Sequence, residues 1–344
     1  MIRKINENGY ASGQLLKPQS STESILATND SLIEAARCEG QTRWYTTLLP
    51  EATSPLVAAF EKRYPKIKIE VIRENAMRNA SKIIAESKTG KPLADLFDGT
   101  TTAAILMKSG LTQPYKANSA SDIPDRYKDP GGHWTATVLY FFTTCFNADL
   151  VSENDKPKTF EDLLDPKWRG KMLWSDQSGL TAGAGFVGNI LLIMGQIEGM
   201  AYLNKLKKQD IAKMSVSANE ILVAVAKGRY ALGLQTANHH TLLRREEGFN
   251  VGWLKIEPLM GFSNNIGLVK DALHPNTAKL LINFVLSVEG QTLLQQASHL
   301  PANTRVEISD PTLRSGFKAN YISPPMAAQN MDEWQAIFNN MFKD

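Results

Sequence analysis

The chain has 344 residues, 43% of them apolar and 21% charged, with 38 basic and 35 acidic side chains and a formal net charge of +3. These proportions support a packed core and exclude a disordered chain, and the scattered basic residues exclude a nucleic-acid footprint. Two cysteines, Cys38 and Cys145, are too few for a disulfide framework or a structural zinc site, and no run of 18 apolar residues is present to span a membrane.

Residues 1–31 read as a flexible polar lead, because no apolar stretch follows Arg3 and Lys4 as a signal peptide would require. A short helix is expected over Leu32–Cys38, closed by Gly40, then a strand over Thr42–Thr46. The next helix opens at Pro50 or Pro55, with Leu56, Ala59, Phe60 and Tyr64 on one face. Ile67, Ile69 and Val71 alternate with charged residues, as in a half-buried strand, and a helix follows over about Met77–Lys88. Ala94–Phe97 is a short buried strand whose end, Asp98-Gly99-Thr100, opens a helix stopped by Gly110. After a loop-rich stretch, residues 137–147 form a long apolar extended segment. Thr159 caps a short helix with Asp162 as its partner, and a strand follows at 172–175. Gly179, Gly183 and Gly185 precede an apolar helix reaching Met194, with a second helix over Gly199–Lys208. Further strands are expected at 213–217 and Tyr230–Gln235, and helices at 218–228, 237–247, Pro275–Leu286 and Val288–Ala297. A final helix carries Trp334, Ile337, Phe338 and Met341. Alternating strands and helices predict βαβ units and largely parallel sheets.

Candidate chemistry gathers at strand ends, where ligands bind in an open α/β sheet. Asn238, His239 and His240 follow the strand ending at Gln235 and open the next helix. A helix start disfavours imidazolium, so both rings lean neutral. A neutral ring can coordinate a metal or donate one hydrogen bond to an oxyanion. Successive helical residues diverge by about 100°, so one ring, or one with the Asn238 amide, faces a given cleft. Tyr45, Thr46 and Thr47 follow the first strand, and Asp98, Gly99 and Thr100 follow another, where Asp98 suits a helix cap as well as a ligand. Ser175, Asp176 and Ser178 follow a fourth. The glycine-rich helix start offers free N–H groups to an anion, or a flat surface for close packing. No nucleophile elbow, HExxH or P-loop is present, and no GxGxxG stands after a strand. Binding without catalysis is expected.

WYTTLLPEATSPLVAAFEKRYPKIKIEVIRE, ADLFDGTTTAAILMKSGLTQPY, TFEDLLDPKWRGKM and HPNTAKLLINFVLSVEGQTLL resemble bacterial ABC-transporter solute-binding proteins, over about Ile33–Val306. The nearest branch holds ferric-iron, thiamine, and phosphonate or sugar-phosphate receptors. The resemblance implies a two-lobed α/β fold of the second periplasmic-binding-protein type, with a mixed, mostly parallel sheet in each lobe and a ligand cleft between them. Lobe 1 would hold residues 32–140 and 262–344, and lobe 2 residues 141–261, with hinge crossings near 137–147 and 255–265. It also implies a periplasmic monomer that is not an enzyme and hands its solute to a membrane permease. Ferric receptors of this family carry adjacent tyrosines where His239 and His240 stand, a glutamate near Thr100 and a histidine near Thr46 or Thr47. Ferric iron prefers phenolate and carboxylate oxygen, so these replacements count against it. The family's anion-contacting helix start would fall at Thr181, Ala182 and Gly183. A small organic oxyanion, with no cofactor, is the expected cargo; the alternative is a metal ion on His239 and His240. The expected contacts are Tyr45, Thr46, Thr47, Asp98, Gly99, Thr100, Ser178, Thr181, Ala182, Gly183, Asn238, His239 and His240.

Overall fold

The computed structural model describes residues 20–90 and 93–342. Residues 1–19 of the expected lead lie outside them. Ser20–Glu39 forms a helix, α1, longer than expected, and Gly40 ends it with φ 72° and its N–H on the Ala36 carbonyl at 2.9 Å. The first half continues through β1 (Gln41–Thr46), α2 (Pro50–Arg63), β2 (Lys68–Arg73), α3 (Ala76–Lys88), β3 (Leu96–Asp98) and α4 (Thr100–Lys108). β1 pairs in parallel with both β2 and β3. Leu56 and Phe60, one turn apart on α2, are both buried, as their spacing predicts.

After β4 (Thr112–Gln113) comes β5 (Thr135–Asn147), the long apolar run. Next stand β6 (Met172–Ser175), α5 (Gly183–Lys207), β7 (Ala212–Met214), α6 (Ala218–Ala226), β8 (Leu232–Ala237), α7 (His240–Glu246) and β9 (Val251–Trp253). The chain returns along β10 (Leu259–Val269) to α8 (Pro275–Leu286), α9 (Val288–Gln296), β11 (Leu300–Pro301), β12 (Ala319–Tyr321) and α10 (Pro324–Phe342). One path runs β2-β1-β3-β10-β5-β8-β6-β7. Its two ends are parallel groups, and β5 and β10 run antiparallel between them. The molecule therefore has two lobes with separate cores. Trp44, Phe60, Leu96 and Phe284 fill the first, and Trp174, Phe186, Leu203 and Leu232 the second.

The two helices expected to either side of Gly195 both form within α5, separated at that glycine, whose φ of 73° and ψ of 173° are not helical. One expectation changes. The tail does not stay with the first lobe. Trp334, Phe338 and Phe342 of α10 join the second core, and α10 lies against both α4 and α5. The reason is the flat glycine face of α5. A Cβ on Gly183 would lie 2.0 Å from Phe338 Cε2, and one on Gly188 would lie 2.3 Å from Trp334 Cε3. The glycines thus serve close helix packing. The Thr159–Asp162 cap forms on a 3₁₀ turn: the Asp162 N–H donates to Thr159 Oγ1 at 3.2 Å, and the Thr159 N–H to Asp162 Oδ2 at 2.9 Å.

Candidate functional site

A cleft of about 640 Å³ opens between the lobes. Three helices start at its wall. Asn75 caps α3 through the Arg78 N–H at 2.9 Å, and Ser217 caps α6 in a box with Glu220. α4 starts at Gly99 with no side-chain cap, which leaves its first N–H groups uncommitted. Only glycine suits this position: its φ is 120°, and a Cβ would lie 2.6 Å from Thr102 Oγ1. Arg73, at the end of β2, also lines the cleft and has no acidic partner among the described residues.

Of the residues expected from sequence, Thr47, Gly99, Thr100, Ser178, Thr181 and His240 line this cleft together. The others do not. Tyr45 is buried with Ile83 and Phe97, and its hydroxyl donates to Glu86 Oε1 of α3 at 2.6 Å, away from the cleft. Ala182 and Gly183 are buried, Gly183 against Phe338. Asn238 is buried and donates to the Leu313 carbonyl at 2.9 Å.

Asp98 neither caps α4 nor lines the cleft. It is fully buried, and it organises the rim from behind. Its Oδ1 accepts the Thr47 N–H at 2.8 Å, the Thr47 hydroxyl at 2.7 Å and the Asn264 amide at 3.2 Å, while Thr46 donates to Oδ2. Burial raises its pKa above the ordinary carboxylate value, and the four donors oppose that rise. Thr46 therefore supports Asp98, and only Thr47 reaches the opening.

The histidine pair divides. The rings lie 4.3 Å apart, with His240 in the cleft. His239 instead lines a separate pocket with His299, and its ring nitrogens have no partner among the described residues. Burial, then the neighbouring His240 and His299, holds His239 well below the usual imidazole value. Burial, then His299 and Arg244, pulls His240 down to about 4. Both rings are neutral at pH 7.

The linkage has a definite sign. As pH falls below about 6.5, protons enter the unfolded chain before these two folded-state rings. Their contribution is intact above pH 6.5 and is lost as pH falls, for His240 toward its folded value of about 4. We expect His240 alone to remove about 2 kcal/mol of stability between pH 7.5 and 5, with His239 acting in the same direction. Urea melts at the two pH values check this. A His239→Asn, His240→Asn variant with an undiminished acid loss would contradict it.

Sequence reasoning missed Arg73, Asn75, Tyr140, Phe142, Ser217, Phe262 and Asn264 in the cleft. Ser217-x-x-Glu220 spells a capping box and could have been found. Nothing local signals the aromatic residues, because strand register brings them together.

The description "bacterial extracellular solute-binding protein" fits residues 91–322 through the model of that family. The chain belongs to this family. It is a periplasmic receptor without catalytic activity, and it serves an ABC importer by capturing a solute. Its relatives divide between branches. A Salmonella typhimurium protein named "Putative 2-aminoethylphosphonate-binding periplasmic protein" is 24% identical over 265 residues, covering 75% of this chain and 74% of its own. AfuA of Actinobacillus pleuropneumoniae, with fructose-6-phosphate bound, matches 88% of this chain and 99% of its own at a TM-score of 0.70 and 20% identity. Trichodesmium IdiA (FutA), in complex with iron and citrate, matches 89% of this chain and 100% of its own at 0.75 and 17%. Iron- or ferric-binding proteins from Pseudomonas aeruginosa, Campylobacter jejuni and Mannheimia haemolytica share the fold at TM-scores of 0.72, 0.73 and 0.71. The expectation that no metal is involved is corrected by these proteins: iron binders predominate among the solved relatives named here.

Proposed function

We propose that this receptor captures a small organic anion, a phosphate or phosphonate ester or a carboxylate, and closes lobe 1 (residues 32–140 and 262–323) on lobe 2 (residues 141–261 and α10) before delivering it to the permease. One observation carries the reading: the starts of α3, α4 and α6 and Arg73, which has no acidic partner among the described residues, face one opening. Helix starts carry partial positive charge and free N–H donors, a setting that favours an anion. The hydroxyls of Thr47, Thr100, Ser178 and Thr181 and the neutral ring of His240 complete the donor set. The phosphate- and phosphonate-binding names among its relatives support the reading.

A second reading, a ferric or other metal ion as cargo, has the heavier support among the solved relatives. Glu74, Tyr140 and His240 line the cleft as donors for it. No three His, Cys, Asp or Glu side chains cluster as a metal site among the described residues. A metal would thus draw on Tyr140 or on an anion carried with it.

Calorimetry on protein stripped of metal separates the two. 2-Aminoethylphosphonate or a sugar phosphate is expected to bind, and His240→Ala to weaken binding about tenfold through one lost hydrogen bond. Stripped protein that ignores every anion yet takes up ferric iron, alone or with citrate, would replace the first reading by the second.

A further inference from the structure

The floor of the cleft is aromatic. Tyr140 and Phe142 stand two residues apart on β5 and so share a face, and Phe262 of β10 sits opposite Tyr140 in the register. The Phe262 ring centroid lies 5.2 Å from each of the other two, at interplanar angles of 33° to Tyr140 and 29° to Phe142. The three rings form one run, Tyr140–Phe262–Phe142, stacked at one contact and tilted at the other, and all three line the same opening as Arg73 and the helix starts. The Tyr140 hydroxyl has no hydrogen-bond partner among the described residues, and Tyr140 is partly exposed.

A bare inorganic anion would satisfy the charged wall and leave the half-buried Tyr140 ring, with the small cleft-facing parts of Phe142 and Phe262, uncovered. A cleft of about 640 Å³ lies in the range that encloses an organic ligand most of the way round. Stacked rings favour another flat ring placed offset or edge-on to them. Resting on the anionic reading above, we propose that the cargo is an organic anion with a flat unsaturated ring. Its acidic group meets Arg73 and the starts of α3, α4 and α6. Its ring covers the Tyr140–Phe262–Phe142 run when the lobes close.

The test is calorimetry on the full chain with inorganic phosphate, methylphosphonate and phenylphosphonate. Phenylphosphonate is expected to bind at least tenfold more tightly than methylphosphonate. Phe262→Leu should reduce that ratio below threefold, while Arg73→Ala weakens both ligands by a similar factor. Phe262 is buried, and should its variant not fold, Tyr140→Leu takes its place, since Tyr140 is partly exposed and makes no hydrogen bond among the described residues. Equal affinity for the two phosphonates overturns the ring proposal and leaves the anionic reading standing. So does a preference for phenylphosphonate that survives both ring variants. If no phosphonate or phosphate binds while ferric citrate does, the anionic reading falls as well.

Discussion

Asp98→Ala is expected to destabilise the protein by about 3–4 kcal/mol and to abolish measurable solute binding. The carboxylate is fully buried and gathers donors from two other strands: Thr46 and Thr47 at the end of β1, and Asn264 on β10. Removing it leaves the Thr47 N–H and the Asn264 amide facing a cavity, and each unsatisfied buried donor costs about 1–3 kcal/mol. Function suffers for a geometric reason. Thr47 reaches the cleft only because Asp98 holds both its N–H and its hydroxyl, at 2.8 and 2.7 Å. Asp98→Asn is the milder change. An amide oxygen can still accept at the Oδ1 position, while its NH₂ faces Thr46, whose hydroxyl can turn. We expect Asp98→Asn to keep the fold and weaken binding only partly. Thermal melts and calorimetry on both variants check the series. Full binding by Asp98→Ala would remove Asp98 from the account.

Trp334→Ala is expected to cost about 3–5 kcal/mol, the usual range for deleting a buried large aromatic. Trp334 is 3% exposed and lies against the α5 backbone at Gly188. No neighbouring side chain stands ready to fill the space, because the surface it covers is glycine. The reciprocal change is also informative. Gly188→Ala should gain nearly 1 kcal/mol of helix propensity, yet its new methyl would meet the indole at 2.3 Å. The net result should be a loss of about 1–3 kcal/mol, as overpacking costs in a filled core. Urea denaturation measures both. A stabilised Gly188→Ala protein would show that α10 docks loosely. Because α10 touches both α4 and α5, loosening it should also raise the protease sensitivity of the cleft side of both lobes.

Much of the architecture was legible in the sequence. The parallel units at both ends of the sheet follow from buried strands alternating with amphipathic or apolar helices, as in Leu56 and Phe60 on α2. The capping pairs Thr159–Asp162 and Ser217–Glu220 are spelled in the chain, and both form. The Thr47, Gly99, Thr100, Ser178, Thr181 and His240 set was reachable because strand ends and helix starts are local features.

The losses share one cause: direction. Tyr45 and Thr47 are two residues apart and equally polar, yet one hydroxyl meets Glu86 and the other the cleft. His239 and His240 are adjacent, and their rings open into different pockets. Composition by position determined which polar groups stand near a strand tip, since backbone periodicity is set by neighbours along the chain. Only the tertiary structure decided which of them see the cleft, and that Tyr140, Phe142 and Phe262 make one floor. Those outcomes depend on strand register and helix packing between residues more than a hundred positions apart, where no local pattern carries the information.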